Sequence, residues 1–152
     1  MNLLQRTVGA IFSLFIVFLL TGCDVPKKEF TSAEIGVNDI SFQVQVADTP
    51  RERAKGLSGR ESLAEEEGML FVYEEAGRYS FWMKGMQFPL DFIWIKGDRV
   101  VDLDRNVLPK EVQPPKTISP KVKVDKVLEV KAGSIEEYNI EVGDRIRSFQ
   151  GL

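Results

Sequence analysis

A chain of 152 residues with no histidine and a single cysteine has few ways to do chemistry. Ser-His-Asp and Cys-His triads, a zinc site of His and Cys, and an intramolecular disulfide are all excluded. Carboxylates, lysines, tyrosines, hydroxyls and the backbone remain. Arg60, Lys84 and Asp91 are the polar groups that stand among apolar segments. Between Met69 and Trp94 the chain also gathers both tryptophans, four phenylalanines, two of three tyrosines and three of four methionines. A groove lined by aromatic and Met side chains with a few polar groups is an ordinary ligand site. Met69, Phe81, Trp82 and Met83 would build it. The competing reading is that aromatics at alternating strand positions are core and methionines fill its gaps. In Phe81-Trp82-Met83 large apolar residues are consecutive and occupy both faces of a strand, so Trp82 and Met83 point opposite ways and only one of them lines such a groove.

A buried Asp91 has to be hydrogen-bonded or paired, and arginine is the natural bidentate partner. Arg60 with Asp91 therefore reads as a fold-stabilising ion pair. The functional alternative has Arg60 and Lys84 receiving an anionic or carbonyl-bearing ligand beside the aromatics. Asp91 with Asp102 or Asp104 would make a carboxylate pair of the glycosidase kind, although the sequence does not set their separation. Glu65-Glu66-Glu67 reads as a solvated turn rather than a cation site. Met83 and Met86 have no His or thiolate to help them hold a soft metal. No catalytic residue, metal or cofactor is assigned. The formal net charge of −3 argues against a nucleic-acid partner, which needs a basic face to neutralise phosphates.

The elements that must position these residues are mostly strands. Ile40, Phe42, Val44 and Val46 alternate with polar residues, and Asn38-Asp39 turns the chain back onto a short strand over Glu34 to Val37. Thr49-Pro50-Arg51-Glu52 has the spacing of a capping box, so a short helix runs from Pro50 to about Lys55 and stops at Gly56. Met69 to Tyr73, Tyr79 to Met83 and Leu90 to Ile95 read as core strands, and Gly97-Asp98 as a hairpin turn into Val100 to Leu103. Pro109, Pro114, Pro115 and Pro120 make residues 109 to 120 a surface loop. Val127 to Val130 is a strand, Ser134-Ile135-Glu136-Glu137 repeats the capping-box spacing before a second short helix, and Val142 to Ile146 is a turn and strand. The expected fold is mainly β (α+β), a small antiparallel barrel or rolled sheet with two short helices.

The N-terminus is an address. Residues 1–22 read as a signal peptide with Arg6 ahead of a 13-residue apolar run, Val8 to Leu20, too short for a membrane-spanning helix. Leu20-Thr21-Gly22-Cys23 resembles the lipobox of bacterial lipoproteins, in which the cysteine thiol takes a diacylglyceryl group and becomes the new N-terminus. Residues 23–29 then form the lipidated cysteine and a linker, and residues 30–152 a single β-rich domain. Acylation consumes the one thiol, so the folded part has no redox or nucleophilic cysteine. Asp24 resembles the inner-membrane retention signal of Gram-negative lipoproteins, which would place the protein on the periplasmic face of that membrane.

Arg53-Ala54-Lys55-Gly56-Leu57-Ser58-Gly59-Arg60, Gly68-Met69-Leu70-Phe71-Val72, Ser80-Phe81-Trp82-Met83-Lys84, Pro89-Leu90-Asp91-Phe92-Ile93, Val127-Leu128-Glu129-Val130 and Gly143-Asp144 resemble, in order, the successive motifs of the DUF 192 family (domain of unknown function 192), over about Ile40 to Ile146. The resemblance implies an exported bacterial or archaeal domain and brings no reaction with it. Many relatives carry Cys-Pro where this chain has Ser119-Pro120, so a role assigned to that thiol does not transfer.

Two functions fit. One is a monomeric, lipid-anchored module of the cell envelope that binds a small apolar ligand, a peptide or an envelope protein through the aromatic and Met-rich surface. The other is a His-free and Cys-free hydrolase or lyase using Asp91 with Arg60 or Lys84. The lack of imidazole and thiolate weighs against an enzyme without deciding the matter. For the anchor, Cys23→Ser is expected to abolish acylation and leave an uncleaved precursor on a gel. Failure of the wild type to incorporate radiolabelled palmitate would overturn the lipoprotein assignment.

Overall fold

A computed structural model describes residues 30–109 and 117–150. Cys23, the signal segment, the linker and Pro114-Pro115 lie outside the described residues. In chain order the elements are strands β1 (Thr31–Val37) and β2 (Ile40–Ala47), helix α1 (Pro50–Lys55), strands β3 (Glu67–Gly77), β4 (Phe81–Trp82), β5 (Leu90–Lys96), β6 (Arg99–Val107), β7 (Thr117–Ile118) and β8 (Val124–Lys131), helix α2 (Ser134–Glu137) and strand β9 (Ile146–Gln150).

Seven strands form one sheet in the order β6-β5-β8-β3-β2-β1-β9, and β4 with β7 forms a two-stranded ribbon. The protein is thus mainly β, a curled half-barrel with two short helices. Every pairing in the large sheet is antiparallel except β2 with β3, which run parallel. A parallel neighbour needs a crossover, and α1 with the segment after it supplies one. The curl brings the two sheet edges together at one end. Arg99 bridges Arg145, the Val100 N–H donates to the Asp144 carbonyl at 2.9 Å, and the Ile146 N–H donates to the Asp98 carbonyl at 2.8 Å.

The sheet buries both faces. One core takes side chains from all seven strands, among them Ile35, Phe42, Leu70, Ile93, Val100, Leu128 and Ile146. The other lies on the opposite face of the β5-β8-β3 centre and includes Met69, Phe71, Phe92, Trp94 and Val127, with Leu57, Leu63, Phe81 and Met83 packed on from outside the large sheet. Two-sided burial explains why β5 reads Leu-Asp-Phe-Ile-Trp-Ile with no polar alternation.

Helix α1 matches its sequence signals. The Glu52 N–H donates to Thr49 Oγ1 at 3.2 Å, the Thr49 N–H donates to Glu52 Oε2 at 3.1 Å, and the helix ends at Gly56 with φ of 50°. Helix α2 departs from them. Its N-cap is Gly133 with no capping side chain, while Ser134 is buried and its hydroxyl has no partner among the described residues. The acceptor comes from across the fold. Asp91, 1% exposed on β5, takes the Gly133 and Ile135 N–H groups on Oδ2 at 3.0 and 2.9 Å, and the Asn106 N–H on Oδ1 at 2.7 Å.

The expected Arg60–Asp91 pair is therefore corrected. Three backbone donors satisfy the carboxylate, and Arg60 instead donates through Nη2 to the Gln45 side chain. An asparagine at 91 would retain one acceptor oxygen and turn an NH2 toward backbone donors. Hydrogen bonds to charged groups contribute about 1.5–3 kcal/mol each, so Asp91→Asn is expected to cost about 3 kcal/mol in urea unfolding. Arg60→Ala is expected to cost about 1 kcal/mol or less. Equal losses would restore the ion pair.

Candidate functional site

On the second face, α1 and the β4-β7 ribbon leave a cleft of about 250 Å³ between them. Local chemistry explains the walls. Gly56 lets the chain leave α1 against Phe71, whose Cζ lies 3.4 Å from where a Cβ would stand. Arg53 projects from α1 and donates through Nη1 to the Asp48 and Val72 carbonyls at 2.5 and 2.8 Å. Its guanidinium carbon lies 4.8 Å from the centre of the Tyr73 ring, which stacks on Tyr79 at 3.5 Å and 8°. Burial pushes the Tyr73 hydroxyl up to about 12, against the opposing pull of Arg53. Opposite, Phe81 of β4 drops into the aromatic core, with ring centres 4.9 Å from Phe71, 5.7 Å from Phe92 and 5.5 Å from Trp94. Phe81 thereby anchors a two-residue strand, and the next side chain, Trp82, stands 56% exposed at the rim.

The floor of the cleft includes Glu129. It lies on β8 between its cross-strand neighbours Met69 and Phe92, both fully buried, and is itself 5% exposed. Among the described residues its carboxyl accepts no hydrogen bond and meets no cation. Burial alone raises it from 4.5 to about 8, so it is a neutral acid at pH 7. In Val-Leu-Glu-Val the only sequence signal was a charged residue inside a short apolar strand. Alternation places it on the face of Val127, and nothing local told that this face is covered.

The residues expected to form a site divide. Phe81 and Trp82 line the cleft, and so does Met86. Met83, pointing away from Trp82 as the alternation required, is buried and lines a separate cavity of about 330 Å³ beside Asp104 and Asn106. Met69 is core beneath Glu129. Lys84 is exposed, with its backbone carbonyl accepting from the Ser58 hydroxyl at 3.2 Å. Arg60 and Gln45 belong to a third hollow of about 160 Å³. Hence Asp91, Arg60 and Lys84 do not converge, while Met69 and Met83 belong to one buried cluster with Met86 packed against it.

The acids of β6 are engaged as well. Asp104 accepts the Trp94 indole N–H at 2.8 Å. Asp102 accepts the Lys121 backbone and ammonium groups at 2.8 and 3.0 Å and the Leu103 N–H at 3.0 Å. Burial works to raise Asp102, but these donors outweigh it and hold the carboxyl below its usual range. No group of three His, Cys, Asp or Glu that could hold a metal occurs among the described residues. Ser119 lies 2.8 Å hydroxyl to hydroxyl from Ser80 at the cleft wall.

The sequence pattern of DUF 192, a family described as "Uncharacterized ACR", matches residues 33–148. The chain belongs to the DUF 192 family. A crystal structure of a putative transcription regulator from Sinorhizobium meliloti is similar at a TM-score of 0.72 and 26% identity, covering 79% of this chain and 95% of that one. A protein of unknown function from Novosphingobium aromaticivorans is similar at 0.73 and 28%, covering 80% and 89%. Comparison with curated proteins gives no match.

For this DUF 192 domain the neutral acid under the aromatics has a measurable signature. Below pH 4.5 Glu129 is protonated folded or unfolded. Between 4.5 and about 8 the unfolded chain releases the proton and the folded one keeps it. Stability is therefore expected to fall with rising pH across that window, by about 1.4 kcal/mol per unit, and to level off above it. Asp102 acts in the opposite sense but only in more acid solution. Glu129→Gln should remove the slope between pH 5 and 8 in urea unfolding. An unchanged slope would overturn the assignment.

Proposed function

We propose that this protein is a non-catalytic binding module of the cell envelope, tethered through Cys23 and facing away from the cytoplasm, whose ligand enters the cleft between α1 and β4 and ends on Glu129. The observation that carries the reading is a nine-tenths buried acid left without a partner among the described residues, at the bottom of an aromatic-walled cleft. Burying such a group costs stability unless something compensates it, and structural acids are compensated, as Asp91 is. Uncompensated ones concentrate at functional sites. The volume suits a small molecule or the tip of a peptide, and the exposed indole of Trp82 is the kind of flat apolar surface that ligands cover.

A hydrolase or lyase built on Asp91 with Arg60 or Lys84 loses support, because those side chains lie apart and both oxygens of Asp91 are occupied. A nucleic-acid role, which the printed description of the Sinorhizobium relative would suggest, has against it the acidic balance of this chain.

Trp82 and Trp94 make the test direct, because Trp94 is fully buried and tied to Asp104 while Trp82 faces the cleft. A panel of small amines, carboxylates, amino acids and aromatic acids is titrated while emission is followed. A member that occupies the cleft shifts the emission of the wild type and leaves that of Trp82→Ala unmoved. Trp82→Ala itself is expected to cost under about 1 kcal/mol, against the roughly 3–5 kcal/mol of a core aromatic. A wild-type emission that no member moves, or a core-sized loss of stability, would overturn the reading.

A further inference from the structure

The cleft is polar at its two ends in opposite senses. At the floor is one acid, with no cation near it among the described residues. At the wall formed by α1 the described lining holds two cations and no acid: Arg53, whose Nη2 and Nε make no hydrogen bond among the described residues, and Lys55, whose Nζ sits 5.4 Å from the centre of the Phe30 ring. Between them the lining is aromatic, from Phe71, Tyr73, Phe81 and Trp82.

Resting on the binding reading above, we propose that the ligand is a small zwitterion, its ammonium group seated on Glu129 and its carboxylate or phosphate group held by Arg53 and Lys55. Each end of the cleft rejects the wrong half. A simple anion driven to the floor would meet a carboxyl that can offer it one proton and no charge. A simple cation would have to pass two positive side chains to reach the floor. A molecule carrying both charges neutralises both ends, and its alkyl or aromatic middle lies against rings whose faces also favour an ammonium. Arg53 is suited to the outer end because its Nη1 and the stack on Tyr73 already hold it in place, so little rotamer freedom remains to be lost when an anion arrives.

Seating an ammonium on Glu129 requires the acid to give up its proton. The carboxyl is neutral at pH 7 in the empty cleft and ionised in the complex, so binding releases a proton to solvent. Among the described residues the titratable groups facing this cleft are Arg53 and Lys55 from α1, Tyr73 from β3, with Tyr79 stacked behind it, and Glu129 from β8. Arg53 and Lys55 are cationic at pH 7, and Tyr73, raised to about 12, stays neutral there, so the released proton reports on Glu129.

The experiment is calorimetric titration of the full protein at pH 7 with 6-aminohexanoate, hexylamine and hexanoate, repeated in buffers of different ionisation enthalpy. The zwitterion is expected to bind at least about tenfold more tightly than either one-ended analogue, a difference of 1.4 kcal/mol, and to release close to one proton. Glu129→Gln should lose the proton release and the advantage of 6-aminohexanoate over hexanoate. Lys55→Met, at an exposed position, should weaken 6-aminohexanoate and leave hexylamine no weaker, since hexylamine loses only a repulsive charge. Hexylamine or hexanoate binding as tightly as the zwitterion overturns the proposal and leaves the cleft a binding site of another specificity. So does silence of all three when other members of the panel move Trp82. Silence of all three together with the whole panel removes the binding reading too. Binding of 6-aminohexanoate without proton release, or undiminished in Glu129→Gln, places the ammonium elsewhere and overturns the assignment.

Discussion

The central strands β3, β5 and β8 are covered on both faces, and most of the rest of the molecule follows from that constraint. A strand with one solvated face can turn any polar residue outward. A strand buried on both sides cannot, so each polar group on it must be satisfied by the fold or remain as a standing cost. Two of the acids on these strands, Asp91 and Glu129, are buried, and the fold treats them oppositely. Asp91 has both oxygens filled by backbone donors from the β6 end and the start of α2, and so ties a helix and a strand end to the sheet. Glu129 has none among the described residues, and it is the one that faces a cavity.

The second face is closed by pieces too short to be stable alone. Helix α1 has six residues and β4 two. Each is held by an aromatic contact with the central sheet: α1 through Arg53 stacked on Tyr73 and Gly56 set against Phe71, β4 through Phe81 among Phe71, Phe92 and Trp94. Because they are fastened at separate points, they leave a gap between them, and that gap is the cleft. The aromatic clustering visible from Met69 to Trp94 is thus mostly core. A minority of its members, Trp82 foremost, are left over as a wall.

Where reading the residues in order went wrong, long-range partners had replaced local ones. Ser134-x-x-Glu137 has the spacing of a capping box, but Ser134 is drawn into the core and the helix is capped by an aspartate more than forty positions earlier. Arg60 looked like the partner for Asp91 because arginine suits a buried carboxylate, yet backbone N–H groups do the same work without burying a second charge. Thr49-x-x-Glu52, with no competing partner, capped its helix as its spacing said.

The sequence by itself determined the β-rich class, the place of most strands and the bounds of β2 and β5, the first helix, the family and the opposition of Trp82 to Met83. These depend on period-two patterning, capping and turn residues, which act over a few positions. Only the tertiary structure decided that β2 and β3 run parallel, that Asp91 is a latch and that Glu129, Arg53 and Tyr73 share one cleft. Those facts depend on which faces are covered and on groups up to tens of residues apart. A glutamate in Val-Leu-Glu-Val is the same four letters whether its side chain meets water or Phe92, and the difference between a solvated charge and a neutral buried acid is set entirely by what folds over it.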